Sequence, residues 1–214
     1  MRVLAPLGPK FVSVTYGAGG TTRDLTHEAV ETIQSGWGVP VAAHLTCVGA
    51  SRADTLAVAD RYRKAGVTDI VALRGDPPKG ASGFKPHEDG FGSSEELTRA
   101  LSQTGDFNVH VGAYPDPHPE AVGPSGDVDW LKRKVEAGAA SAITQFFFHA
   151  DTYFRFRDAC AAAGIDAPII PGILPIQTWS GVQGFAKRCG LAVPKTLQKA
   201  IDRDERDGRA PLYA

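Results

Sequence analysis

Long apolar runs are missing from this 214-residue chain: the longest, such as Ser141 to Phe148, fall far short of the roughly 20 residues that cross a bilayer as a helix. No membrane span is expected. A surplus of either charge is missing too, with 23 Lys+Arg against 24 Asp+Glu and a net charge of −1. That balance leaves no broad basic surface for phosphate backbones, so nucleic acid is not an expected partner. Cysteine is scarce and odd in number: Cys47, Cys160 and Cys189 show neither a CxxC pair nor zinc spacing with histidine. They read as reduced packing residues. The leader from Met1 to Pro9 holds two prolines and a glycine and lacks the apolar core of a signal peptide, which predicts a cytoplasmic protein. What remains is ordinary globular material, 43% hydrophobic and 22% charged, enough for one large domain or two small ones.

Short β-branched or apolar runs alternate with segments of helical period, the pattern of βα units around a parallel sheet. The predicted strands are Phe11 to Tyr16, Pro40 to Thr46, Asp69 to Arg74, Asn108 to Tyr114, Ser141 to Phe147 and Pro168 to Leu174. Between them Leu25, Ala29 and Ile33, and then Leu56, Ala59 and Tyr62, recur at helical spacing and predict two sheet-covering faces. Ser93-Ser94-Glu95-Glu96 opens a capping box, and Asp127 is placed to cap a helix that ends at Gly138. Tyr153, Phe156 and Cys160 repeat the spacing before Gly164, and a further helix fits Thr178 to Cys189.

The strand starts recur every ~31 residues, one βα unit per step. Such regularity predicts an α/β fold of the (β/α)8 barrel type, but a closed barrel needs eight strands and typically about 250 residues. The expectation is therefore an incomplete barrel of about six units, with the first and last strands missing. The barrel part is expected over residues 1–197. Residues 198–214, densely charged around Asp202 to Asp207, are expected to be a charged tail.

In such barrels functional side chains project from the C-terminal ends of the strands. The first strand ends in Thr15-Tyr16-Gly17-Ala18-Gly19-Gly20, a loop that either turns plainly or lets backbone approach a ligand. Alternation puts His44 and Thr46 on one face of the second strand, where a histidine serves as a hydrogen-bonded core residue or as a ligand. Arg74-Gly75-Asp76 closes the third strand, pairing with itself or receiving something polar. Tyr114-Pro115-Asp116-Pro117-His118-Pro119-Glu120 is a stiff loop presenting an aromatic ring and an imidazole. Asp127 with Lys132, Arg133 and Lys134 offers a polar rim or a solvated helix face, and Gln145 stands amid aromatic residues, an amide that needs a partner. His44, His118 and Asp76 are set among Tyr and Pro, which suit an organic ring better than a metal. No Ser-His-Asp order or nucleophile elbow is present. Together these residues suit a large heteroaromatic cofactor with a phosphate tail.

The phrases Phe11 to Gly20, His44-Leu45-Thr46-Cys47, Leu73-Arg74-Gly75-Asp76, Tyr114-Pro115 with His118-Pro119-Glu120, Leu131-Lys132-Arg133-Lys134, Ile143 to Phe148 and Ile170 to Pro175 closely resemble the 5,10-methylenetetrahydrofolate reductase family. The resemblance runs in order from about Pro9 to Leu197. It implies a cytoplasmic flavoprotein oxidoreductase in which NADH or NADPH reduces noncovalently held FAD. The FAD then reduces 5,10-methylenetetrahydrofolate to 5-methyltetrahydrofolate, in one-carbon metabolism and methionine biosynthesis. It implies that Thr15, His44, Arg74, Gly75, Asp76, Tyr114, His118, Ala121, Asp127 and Lys134 line the FAD site. Asp76 would sit beside the flavin's pyrimidine edge and tune hydride release. Gln145 would bond the pterin, and Phe185 would stack on whichever ring occupies the flavin face.

Two departures stand out. The family's first strand carries a glutamate that acts as general acid on the folate, and no counterpart precedes Phe11. Its last strand carries a folate-binding arginine, and none follows Leu197. Loss of such an acid costs on the order of 10²- to 10⁴-fold in rate. The alternative reading is thus a catalytically deficient flavin-binding remnant. Unpaired strand edges predict association into a homo-oligomer. An aldolase or lyase barrel would need a Schiff-base lysine at a strand end, and no predicted strand ends in Lys.

Overall fold

The computed structural model of the chain describes residues 1–16, 20–76, 83–123, 125–176 and 178–206. Six strands, β1 Val12–Val14, β2 Val41–Thr46, β3 Asp69–Leu73, β4 Asn108–Ala113, β5 Ser141–Thr144 and β6 Ile169–Ile170, follow one another in chain order in one sheet. Neighbours at the start of the sheet pair parallel, with Val14 opposite Ala43, Thr46 opposite Leu73 and Ile70 opposite Val109. Sequential parallel order with helices between strands is that of an incomplete (β/α) barrel, as the spacing predicts. The helices are α1 Gly20–Gly36, α2 Arg52–Lys64, α3 Ser94–Ser102, α4 Gly126–Glu136, α5 Ala150–Ala162, α6 Trp179–Arg188 and α7 Lys195–Arg206.

The chain divides into two units, Met1–Gly112 with Leu131–Ala142, and Ala113–Trp130 with Ile143–Ala214. The first is a layered aliphatic structure. Val41, Ala43 and Leu45 of β2, and Cys47 just past its end, alternate onto one sheet face with Ile70 and Ala72 of β3 and Val109 of β4. Val30 of α1, Ala59 and Tyr62 of α2, and Leu97 and Leu101 of α3 cover them. Of the predicted helix faces Ala59, Tyr62 and Ile33 pack on the core, but Leu25 and Leu56 need correction. Leu25 is 64% exposed and Leu56 lies at the surface, while Thr26, His27, Thr55 and Val30 are buried. Polar partners explain the rotation: His27 Nδ1 meets the Tyr62 hydroxyl at 2.7 Å, and Thr55 Oγ1 donates to the Ser51 carbonyl at 2.9 Å. These bonds let polar residues take the inward stripe.

The opposite face of the same strands carries the polar residues. At their starts Asp69, His110 and Ser141 join in a chain, with His110 Nε2 3.0 Å from the Asp69 carboxylate and Nδ1 2.7 Å from Ser141 Oγ. Sequence order alone does not show this triad. Phe11 packs on the imidazole with centroids 5.1 Å apart, and Ser141 is 5% exposed. Lying at the N-terminal ends of strands, the network ties three strand starts together.

The second unit is built on aromatic rings. Phe146 packs edge-on against Phe148, Phe147 stacks on Tyr153, and Trp179, Val182 and Ile201 form its buried cluster. Its strands are shorter than predicted. β5 ends at Thr144 rather than Phe147, because beyond the backbone bond from Gln145 N–H to the Ala113 carbonyl (2.7 Å) the Gln145 side chain takes the next N–H, that of Phe146. β6 is two residues long, since Pro168 and Pro171 flank it without N–H donors. Of the expected tail 198–214, residues 198–206 continue α7, with Ile201 fully buried, and 207–214 lie outside the described residues.

Candidate functional site

In the first unit the strand ends set their side chains by register. Thr15, one residue past β1, is exposed and its carbonyl accepts from Thr26 Oγ1 at 3.3 Å. Gly17–Gly19, the glycine loop that follows, lie outside the described residues. His44 is half-buried and makes no side-chain hydrogen bond among the described residues, and burial pushes its imidazole down to about 4. It is therefore neutral near pH 7, one nitrogen donating and one accepting. Thr46, two residues on and on the same face, is 6% exposed with its Oγ1 unpartnered among the described residues.

The end of β3 explains its glycine. Gly75 has φ +86°, and a Cβ there would stand 2.8 Å from Val48 Cγ1 and 3.1 Å from Thr46 Cβ. Only glycine lets the chain turn this tightly over the end of β2. The turn leaves Asp76 exposed, while the half-buried Arg74 holds its guanidinium 5.1 Å from the Phe84 ring centroid. The basic triplet of α4 divides. Lys132 is exposed, Arg133 pairs with Glu95 at 2.9 Å, and Lys134 is 3% exposed with its ammonium donating to the Gly112 carbonyl at the end of β4. Lys134 shares the buried face of Leu131, three residues earlier, so its stem is packed rather than set on a rim.

In the second unit the proline-locked loop is pinned from both sides. The Tyr114 and His118 rings meet edge-on, centroids 4.6 Å apart and planes at 73°. His118 N–H donates to Asp127 Oδ2 at 3.0 Å, His118 Nδ1 accepts from Glu120 N–H at 3.1 Å, and Ala121 N–H returns to the His118 carbonyl at 2.8 Å. With Nδ1 accepting, Nε2 is the nitrogen left to donate. Asp127 was expected to cap α4. Its carboxylate instead reaches out to the loop, because the helix begins one residue earlier, at Gly126. Asp116, in the same loop, has its carboxyl pushed up by burial, opposed by His149 and Arg155.

Beyond β5, Gln145 Oε1 accepts from Phe146 N–H at 3.0 Å and Nε2 donates to Cys189 Sγ at 3.4 Å. Phe146 stacks on Phe185 with centroids 5.2 Å apart and planes at 14°, and the Arg188 guanidinium lies 5.3 Å from the Phe185 centroid. The sequence-predicted residues divide between the units: Thr15, His44, Arg74, Gly75, Asp76 and Lys134 belong to the first, and Tyr114, His118, Ala121, Asp127, Gln145 and Phe185 to the second. Sequence reasoning missed Phe146 and Cys189 as their neighbours. The one available signal was the four-residue spacing of Phe185 and Cys189 along a helix.

Among the described residues no three His, Cys, Asp or Glu side chains gather as a metal centre. Within the first unit, the Thr46 hydroxyl, unpartnered among the described residues, the side-chain-free backbone of Gly75 and the neutral His44 offer hydrogen bonds of the kind an organic cofactor takes.

The family model described as methylenetetrahydrofolate reductase matches residues 1–210. A 5,10-methylenetetrahydrofolate reductase of Pectobacterium carotovorum subsp. carotovorum is 45% identical over 204 residues, covering 95% of this chain and 66% of the relative. That of Escherichia coli (strain K12) is 44% identical over 199 residues, covering 93% of this chain and 65% of the relative. The chain spans about two thirds of the length of these relatives. Among solved structures, 2,3-dimethylmalate lyase superposes with a TM-score of 0.54 at 16% identity, covering 99% of this chain and 89% of that one, a likeness of fold alone. A family match over nearly every residue, with close to half the positions identical in bacterial relatives, is not produced by a shared barrel architecture, and this chain belongs to the methylenetetrahydrofolate reductase family.

Proposed function

We propose that the chain carries the FAD-binding and folate-binding residues of a cytoplasmic reductase that converts 5,10-methylenetetrahydrofolate to 5-methyltetrahydrofolate with NADH or NADPH, serving one-carbon metabolism and methionine biosynthesis. Bound FAD would supply the two-electron chemistry, taking hydride from the nicotinamide and passing it to the folate. The observation that supports the reading is the family match joined to the turn at Gly75, a glycine packed against Thr46 and Val48 that leaves Asp76 exposed at the end of β3.

The chain's own residues have distinct work in this reading. His44 stays neutral at working pH, so it donates or accepts a hydrogen bond without adding a cation near an electron-accepting ring. Asp76 places a carboxylate where fixed charge sets how readily such a ring takes and releases electrons. Thr15, Arg74 and Lys134 supply hydroxyl, guanidinium and ammonium donors for phosphate and ribose oxygens. Tyr114 and His118 give a rigid wall, held by Asp127, and the backbone at Ala121 closes the loop. Gln145 offers an amide to the two-sided donor and acceptor edge of a pterin, and Phe185 offers a flat face for a stacked ring.

The test is anaerobic spectrophotometry of the purified 214-residue chain. A flavin absorption band, its bleaching by NADH or NADPH, and its return on adding methylenetetrahydrofolate are expected. A chain that stays colourless with added FAD overturns the proposal. Bleaching without return keeps the cofactor and removes folate turnover.

A further inference from the structure

We propose that Cys189 is a positioning residue for Gln145: its sulfur holds the Gln145 amide in the orientation in which a pterin is read. The inference rests on the reading of Gln145 as a folate-binding residue. A primary amide flips between two orientations that exchange oxygen and nitrogen, and only one presents the right donor and acceptor to a given ligand. Here both ends are tied. Phe146 N–H donates to Oε1 at 3.0 Å, and Nε2 donates to Cys189 Sγ at 3.4 Å. Each end spends one hydrogen-bonding site on the protein, leaving one lone pair on Oε1 and one N–H on Nε2. That remaining pair is complementary to the adjacent N–H and C=O of an aminopyrimidinone ring.

The position of the sulfur is itself held. Cys189 caps the C-terminus of α6 with its N–H on the Phe185 carbonyl at 3.0 Å. Phe185, one turn earlier, stacks on Phe146. Two adjacent residues after β5 therefore meet two residues one helical turn apart, an aromatic rung beside an amide-to-sulfur rung. Sulfur is a weak acceptor, so the tie orients the amide while leaving its second N–H available to a ligand. In the half-buried setting of both residues, losing the tie frees the amide to flip.

The test is a double-mutant cycle on the 214-residue chain, reading the dissociation constant for 5-methyltetrahydrofolate by titration calorimetry. Cys189→Val keeps volume and removes the acceptor, and Cys189→Ser keeps an acceptor. Expected results are about fivefold weaker binding for Cys189→Val, on the scale of one net hydrogen bond, near-complete retention by Cys189→Ser, and tenfold or greater weakening for Gln145→Ala. The decisive expectation is coupling: in the Gln145→Ala background, Cys189→Val changes nothing further. If Cys189→Val costs the same fivefold in that background, the residue acts by packing and the inference is overturned. It is also overturned if Cys189→Val binds folate like the unmodified chain while Gln145→Ala does not. If Gln145→Ala itself binds normally, the folate reading of Gln145 has failed, which the Cys189 variants cannot mimic. Should valine unfold the end of α6, Cys189→Ala serves in the same cycle.

Discussion

The two units set their polar residues by different means. In the first, β2 and β3 lie in parallel register over a continuous aliphatic layer, and alternation alone decides that His44 and Thr46 share one face while Leu45 takes the other. In the second, the end of β5 and the two-residue β6 leave orientation to prolines, stacked rings and side chains that bond backbone. The first arrangement is robust, because register is shared over many residues. The second is local, so each contact can be removed with a confined effect.

Five substitutions or conditions probe that difference, beginning with the largest effect. Leu45→Ala empties a fully buried position in the aliphatic layer and is expected to cost about 4 kcal/mol, read by urea unfolding. A loss below about 1 kcal/mol would mean the layer is not continuous. Gly172→Ala is the steric counterpart in the second unit. Its Cβ would lie 2.1 Å from the Thr144 carbonyl oxygen, a backbone atom that cannot swing away. About 3 kcal/mol of destabilisation is expected, together with loss of the Gly172 N–H bond to Thr144 Oγ1. Gly75→Ala meets only side chains and a positive φ, so a smaller cost of about 1 to 2 kcal/mol is expected by the same measurement.

The fourth effect is set by pH. The folded His44 takes a proton only near pH 4, whereas the unfolded chain takes it near its ordinary 6.5. Between those values the unfolded state binds more protons, so stability is full above about pH 6.5 and falls as the pH drops toward 4. The loss is on the order of 2 kcal/mol, discounted because the ring is half-open to solvent. His44→Gln should flatten this part of the urea-midpoint profile, and an unchanged slope would assign it to other groups. The smallest effect belongs to the loop. Asp127→Ala removes the acceptor of His118 N–H and is expected to cost about 1 kcal/mol, with the Tyr114 ring resonances losing their His118 ring-current shift in proton NMR.

Much of this organisation was legible in the residues. β-branched runs marked all six strand starts to within a residue, from Val12 beside predicted Phe11 to Ile169 beside predicted Pro168. Of the capping box at Ser93 the N-cap half forms, with Ser93 Oγ accepting from Glu96 N–H at 3.2 Å, while the Glu96 carboxylate turns to Gly92 N–H and Arg52. Harder to read were faces and partners. Leu25 looked inward by period and is exposed, because His27 and Tyr62, 35 residues apart, satisfy each other and occupy the interior instead. Lys134 looked like a rim residue and is buried on a carbonyl 22 residues away. Gln145 plainly needed a partner, but that partner, Cys189, stands 44 residues on at the C-terminal cap of α6.

The amino-acid sequence by itself determined the order and kind of the elements and the strand ends that bear polar groups, since hydrophobic period, caps and glycine act over a few neighbouring residues. Only the tertiary structure decided which polar groups are spent on the protein and which remain for a ligand. Hydrogen-bond satisfaction in a packed interior depends on distances between residues far apart in the chain, and no local pattern encodes those.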